Sequence, residues 1–200
     1  MADSPPAAPK AAPKADLRDL RPDDQDRILG WRNSPDVRPY MYTDHLIPAG
    51  EHARWWAGIA ADPRRRYWII EAGGLPVGLA NLYDIDRNRR LCAWAYYLAD
   101  PSVRGMGLGS FVEYWMLQQV FETQGLHKLW CEVLVSNEPV WRLHETFGFR
   151  QEARLRDHVH KEGAWQDVLG LGILEDEWRA RRPAMAERLR GKGFEVVAET

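Results

Sequence analysis

The sequence predicts an α/β protein in which a mixed sheet carries helices on both faces. Three observations point to that class. Strand and helix signals alternate along the chain in the order β-α-α-β-β-β-α-β-α-β-β. Gly73-Gly74-Leu75-Pro76 separates two apolar runs in the manner of a hairpin. Lys128 to Val135 is a short apolar run with the character of a central strand.

Each element has its own reason. Asp16 to Leu20 reads as the first strand. Pro22 and Asp23-Asp24 start a helix running to about Arg32, because proline suits the first helical turn and carboxylates favour the positive end of the helix dipole. Ser34-Pro35 breaks it, since the residue before a proline is driven out of the helical region. A second helix, around Gly50 to Ala60, follows Pro48. Tyr67 to Ala72, Val77 to Ile85 and Arg90 to Ala99 form a meander of three strands. A glycine loop then opens a helix from Phe111 to Phe121, and Lys128 to Val135 follows. Glu138 to Thr146 is helical and ends at Gly148, which suits a left-handed cap. Phe149 to His160 and Trp165 to Leu174 pair about Glu162-Gly163.

The two ends differ from this body. Met1 to Ala15 is rich in Pro and Ala without apolar periodicity, which predicts a disordered extension. It lacks the arginines and amphipathic pattern of a transit peptide. The folded domain is expected over residues 16–178. Residues 179–200 form a charged tail, either a short helix with a solvated face or a contact to a partner.

Composition narrows the function classes. Two hundred residues suffice for one domain with a full core. A net charge of −2 argues against a general nucleic-acid binder or a binder of anionic membranes, and no run reaches transmembrane length. Cys92 and Cys131, without a Cys-x-x-Cys or a signal peptide, suggest reduced thiols in a cytoplasmic protein. No metal is expected.

The stretch Arg104-Gly105-Met106-Gly107-Leu108-Gly109-Ser110 carries the most chemistry. It lies between a strand and a helix, so its glycines permit close backbone approach and the helix start presents unpaired N–H groups. Such a place suits phosphate. It also reads as a tight turn capping a helix. A Walker loop is excluded because no Lys follows the glycines. The dinucleotide fingerprint fails because its third glycine would be Ser110 and no acidic ribose ligand lies near Leu126.

Arg104, Gly107 and Gly109 do fit Arg-x-x-Gly-x-Gly, and here the chain resembles the GNAT acyltransferases. Val135-Ser136-Asn137, followed by Val140, Leu143, Phe147, Gly148 and Phe149, is similar to that family's second conserved segment. The resemblance spans roughly residues 16–178. It implies the GNAT fold, with a mixed and mostly antiparallel sheet, and acetyl-CoA as cosubstrate. The strand ending at Tyr97-Leu98 would splay from Lys128–Val135 to admit the thioester. N–H groups near Leu98 would polarise its carbonyl, and those from Val103 to Ser110 (Val103, Arg104, Gly105, Met106, Gly107, Leu108, Gly109 and Ser110) would bind the pyrophosphate. Asn137 would cap the following helix and offer its amide to the pantetheine or phosphate arm.

An attacking amine must lose a proton, so a base is needed. Glu132, a charge within an apolar strand, is the first candidate; an outward position paired with a basic neighbour explains it equally. Asp84 and Asp86 are weaker candidates. The family's usual proton-donating Tyr, seven residues after the Asn, is His144 here. An imidazolium with a pKa near ~6.5 could donate to the leaving thiolate. Tyr96 or Tyr97 could donate instead, and Tyr97 is carried with Glu132 and His144 as a candidate catalytic residue.

The acceptor is read from the first hundred residues. Trp31-Arg32-Asn33, Met41-Tyr42 and His52-x-x-Trp55 are similar to a GNAT branch that acetylates UDP-4-amino-4,6-dideoxy-N-acetyl-β-L-altrosamine during pseudaminic acid synthesis for flagellin glycosylation. That resemblance implies that Arg32, Met41, Tyr42, His52 and Trp55 line a nucleotide-sugar pocket; helix anchoring is the other explanation for each. The segment Arg154 to Val159 with Trp165 to Leu169 is shared with the ribosomal-protein N-terminal acetyltransferases, so it does not separate the two. A coenzyme-binding module without catalysis is the third reading. The partners expected are acetyl-CoA, a UDP-type amino sugar and a second copy of the chain in a homodimer.

Overall fold

The computed structural model describes residues 12–196. Its elements are β1 (Ala15–Asp19), α1 (Asp24–Asn33), α2 (Ala49–Ile59), β2 (Arg66–Ala72), β3 (Leu75–Asp86), β4 (Leu91–Leu98), α3 (Leu108–Gln118), β5 (Lys128–Leu134), α4 (Glu138–Phe147), β6 (Arg150–Lys161), β7 (Ala164–Leu174) and α5 (Glu175–Gly191). A 3-10 turn, Arg38–Tyr40, lies between α1 and α2, and a π-helical turn, Gln119–Thr123, extends α3. The predicted order is therefore observed, with α5 added.

Seven strands form one sheet in the order β1-β2-β3-β4-β5-β7-β6. Every neighbouring pair is antiparallel except β4 and β5. A parallel pair needs a crossover, and α3 supplies it. On one face, Trp94, Leu129 and Leu171 from the sheet join Val112, Leu117 and Phe147 from α3 and α4 in the main core. On the other, Ile69 and Leu79 pack with Ile28, Trp31 and Trp55 of α1 and α2. Strand alternation decides which side chain enters which core.

Two features depart from the sequence reading. The N-terminal extension, Met1 to Ala11, lies outside the described residues, but Ala15 already pairs with Ala72 and the Gly73 N–H donates to the Lys14 carbonyl, so the fold starts before residue 16. At the other end, a boundary after Trp178 cuts through α5. Trp178, Ala186, Leu189 and Phe194 are buried in the main core, with Trp178 edge-on to Tyr114 at 5.3 Å. Arg179, Arg181, Arg188 and Arg190 of this helix are exposed, while Arg182 is largely buried against Glu122, so the sparse apolar stripe is masked in the sequence. Among the described residues no helix is long and apolar enough to cross a membrane.

If α5 belongs to the core, Leu189→Ala should cost about 2–5 kcal/mol of stability, as a buried Leu deletion does, whereas a solvated helix would lose under ~0.5. Urea denaturation distinguishes the two.

Candidate active site

The parallel strands provide the opening. β4 and β5 pair at Leu91↔Lys128, Cys92↔Leu129 and Ala93↔Trp130, and no further. Beyond Ala93 the strands part, as the sequence reading expected, and no residue from Ala95 to Leu98 is paired with β5. A cavity of about 840 Å³ occupies the splay. Its walls are β4 from Trp94 to Leu98, β5 from Cys131 to Leu134, the glycine loop and the start of α4.

The loop is shaped to approach a ligand. Gly107 is the N-cap of α3 with φ 80°, a left-handed conformation that favours glycine, and no side chain caps the helix. The first N–H groups of α3 thus lack helical partners at the cavity wall. A Cβ on Gly109 would stand 3.0 Å from the Tyr96 hydroxyl and 3.4 Å from Leu143, so only glycine fits without displacement. Leu98, Val103, Arg104, Gly105, Leu108 and Ser110 also line the cavity. Met106 does not: its side chain packs against the main core. Arg104 is engaged by Asp36 at 2.9 Å, across the cavity mouth. Asn137 lines the cavity too, but its side chain makes no capping hydrogen bond to α4, contrary to the expected cap.

On the opposite side of the sheet a second cavity, of about 350 Å³, is lined by Arg32, Met41, Tyr42, His52 and Trp55 together. The five residues singled out from the sequence therefore meet. Their duties differ. His52 is buried; its Nε2–H donates to the Gln25 carbonyl at 2.7 Å and its ring stacks on Trp55 at 5.0 Å, so it ties α2 to α1 while presenting an edge to the cavity. Arg32 donates to the Thr43 hydroxyl at 3.2 Å, and its Nη1 is buried without a partner. Among the described residues it has no carboxylate within ion-pair distance, and burial pulls its pKa down. The Tyr97 hydroxyl is likewise buried without a partner.

The two cavities share Met41, Tyr42, Ala95, Tyr96 and Tyr97, so they meet where β4 leaves β5. Glu132 lines the larger cavity beside this junction and accepts a 2.7 Å hydrogen bond from the Tyr42 hydroxyl. Its neighbour is thus a phenol, not the basic residue weighed from the sequence. Asp84 and Asp86 line neither cavity; Asp86 instead accepts from the Arg89 N–H at the β3–β4 turn.

Comparison with known proteins agrees with this architecture. The acetyltransferase (GNAT) domain family matches residues 15–150. The chain belongs to the GNAT acetyltransferases. It is similar to a prophage-derived uncharacterized N-acetyltransferase, YokL, of Bacillus subtilis (30% identity, over 81% of this chain and 90% of the relative). It is also similar to a spermidine N(1)-acetyltransferase of Vibrio cholerae (28% identity, 82% and 95%). Acetyltransferase PseH of Campylobacter jejuni is 24% identical over 66% of this chain and 81% of its own length. The crystal structure of spermidine N-acetyltransferase from Vibrio cholerae in complex with CoA and spermine superposes with a TM-score of 0.78 at 23% identity, over 83% of this chain and 98% of that one. GNAT enzymes use acetyl-CoA as cosubstrate, and the splay, the glycine loop and the α3 N-terminus of this chain suit its thioester and phosphates.

In this GNAT enzyme the position of the family's Tyr is held by a buried ion pair. His144 Nδ1 lies 2.9 Å from Glu113 Oε1, and both side chains are almost fully buried. Burial by itself would lower the His144 pKa, but the Glu113 charge outweighs it and the imidazole is pushed up to about 10. Burial in turn raises the Glu113 carboxyl, and the His144 charge pulls it part of the way back down. Neighbouring tyrosines are sorted by strand alternation: Tyr96 stacks on Trp94 toward α3, while Tyr97 meets Trp31 edge-on on the acceptor side. Sequence reasoning missed Glu113, although a lone carboxylate within Phe111-Val112-Glu113-Tyr114 was a readable signal. It also missed Lys161, whose buried Nζ donates to the carbonyls of Arg38, Pro39 and Met41 at 2.7–2.8 Å and so fixes the turn that carries Tyr42.

Glu113→Gln should cost about 3–5 kcal/mol near neutral pH, because it strands a buried imidazolium. The sign follows from the raised pKa. The pair's contribution is complete below the unfolded histidine pKa of ~6.5 and fades as pH rises through about 10, so the wild-type advantage should shrink over that window. Denaturation of both proteins between pH 6 and pH 10 measures it.

Proposed function

We propose that this acetyl-CoA-dependent N-acetyltransferase acetylates the amino group of a nucleotide-linked amino sugar, of the 4-amino-4,6-dideoxy type, by direct attack in a ternary complex. Arg32 carries the proposal. A guanidinium that faces the acceptor cavity with a buried, unpartnered Nη1 and no carboxylate calls for an anion, and a sugar diphosphate provides one in bidentate geometry. Trp55 and Tyr42 offer rings and a hydroxyl to the base and sugar. A polyamine acceptor, suggested by the spermidine acetyltransferase relatives, finds Glu51 in the same cavity, but it would have to bring its ammonium groups beside Arg32.

The chemistry follows from the junction. The acceptor amine enters from the smaller cavity and meets the thioester at Ala95–Tyr97. Glu132, oriented by Tyr42, takes the proton of the ammonium directly or through water. Gap-facing N–H groups near Leu98 polarise the thioester carbonyl. His144 serves the leaving thiolate as a fixed positive charge and not as its acid. Proton transfer from a group near about 10 to a thiolate whose thiol has a pKa of ~8.5 is uphill by ~2 kcal/mol. Tyr96, kept protonated by burial and standing over Gly109, donates a hydrogen bond on the same side.

CoA release in a panel of UDP-linked amino sugars, spermidine and ribosomal-protein N-terminal peptides tests the assignment. Turnover is expected with a UDP-4-amino-4,6-dideoxy sugar, and Arg32→Gln should raise its KM about 10–100-fold through loss of a charge-assisted phosphate contact. Preferential turnover of spermidine or peptide contradicts it. Binding of acetyl-CoA without turnover of any amine indicates a binding module.

A further inference from the structure

The C-terminal segment reaches back to the glycine loop. After α5, Gly193 (φ 91°) turns the chain, and Phe194 is buried with its ring stacked on Phe111 of α3 at 5.3 Å and 24°. That anchor holds Lys192 against the loop. A methyl group placed on Gly107 would meet Lys192 Cδ and Phe194 Cε2 at 3.3 Å each, with Lys192 Nζ at 3.6 Å. Among the described residues, Lys192 is the one from beyond β7 that lines the 840 Å³ cavity, alongside Arg104, Gly105 and Gly107.

Charge distinguishes it from its neighbour. Arg104, the basic residue of the sequence motif, is already neutralised by Asp36. The Lys192 ammonium has no hydrogen bond or ion pair among the described residues, and the one charge that shifts it is another cation, Arg188. Partial burial and then the Arg188 charge both hold the Lys192 ammonium below its ordinary range. An unpaired ammonium lining a cavity whose wall is a helix N-terminus makes a place for a phosphate.

We propose that Lys192, carried by the C-terminal helix and clamped by Phe194 on Phe111, is a phosphate-binding residue of the coenzyme site. The role falls to it, more than to Arg104, because its charge is uncompensated. The segment after β7, which lies outside the span matched by the family, is then part of the binding site. The proposal rests on the larger cavity being the coenzyme site. The phosphate is either in the pyrophosphate or at the ribose 3′ position, and both belong to the same ligand.

Calorimetric titration of the full chain with CoA and with 3′-dephospho-CoA tests it. Lys192→Ala should weaken CoA binding about tenfold, and Lys192→Arg should restore most of it, as expected for one charge-assisted contact. An equal loss with both ligands assigns the lysine to the pyrophosphate; a loss confined to CoA assigns it to the 3′-phosphate. Arg190→Ala, which removes an exposed charge from the same helix, should leave both affinities within ~2-fold. Unchanged CoA affinity in Lys192→Ala, or an equal loss in Arg190→Ala, overturns the proposal while leaving the coenzyme site standing. Failure of the wild-type chain to bind CoA overturns the site itself.

Discussion

Everything functional in this molecule depends on the ending of one strand pair. Among the described residues β4 and β5 are the only parallel neighbours in the sheet, and their pairing stops at Ala93↔Trp130. Buried backbone groups left unpaired are costly, so a sheet that opens in its middle must return those groups to a partner. Under the proposed function that partner is acetyl-CoA. The same opening makes the larger cavity continuous with the smaller one, because Ala95, Tyr96 and Tyr97 line both. Without the splay there would be two unconnected clefts on opposite faces.

Charges around the splay divide into two kinds. Some are satisfied within the fold: His144 by Glu113, Lys161 by three carbonyls, Arg104 by Asp36. These fix geometry. Others are left open, Arg32 in the acceptor cavity and Lys192 at the coenzyme loop. A buried or partly buried cation without a counter-ion is unfavourable, and both sites are where a substrate phosphate would supply one. Along the two cavities Arg104 and His144 thus have acidic partners, while the Lys192 ammonium and one face of the Arg32 guanidinium have none among the described residues.

Much of this was legible in the sequence because local chemistry wrote it. Alternating apolar runs, the Gly73–Pro76 hairpin and the Gly148 cap located the sheet and helices, and the glycine spacing at Arg104–Gly109 picked out a loop that lines the larger cavity. The five acceptor-side residues came from pattern likeness, and they converge on one cavity. What stayed illegible needed tertiary context. In Trp94-Ala95-Tyr96-Tyr97-Leu98 nearly every position is apolar, so the sequence does not say which tyrosine faces which side. α5 spaces its buried residues as Trp178, Ala186 and Leu189 among arginines and carries Pro183, which reads as an interruption. Lys161 and Lys192 resemble any surface lysine until the chain folds back on them.

The central claim is that the gap between β4 and β5 is an open backbone edge completed by acetyl-CoA. Residue-resolved amide hydrogen exchange along β4, with and without acetyl-CoA, tests it most directly. The account predicts strong protection at Leu91–Ala93 in both states. The gap-facing amides between Ala95 and Leu98 should exchange fast in the free protein and slow at least tenfold when acetyl-CoA is bound, with β3-facing amides of the same stretch protected throughout. Uniform protection of Ala95–Leu98 without ligand, or no change on adding it, would contradict the account.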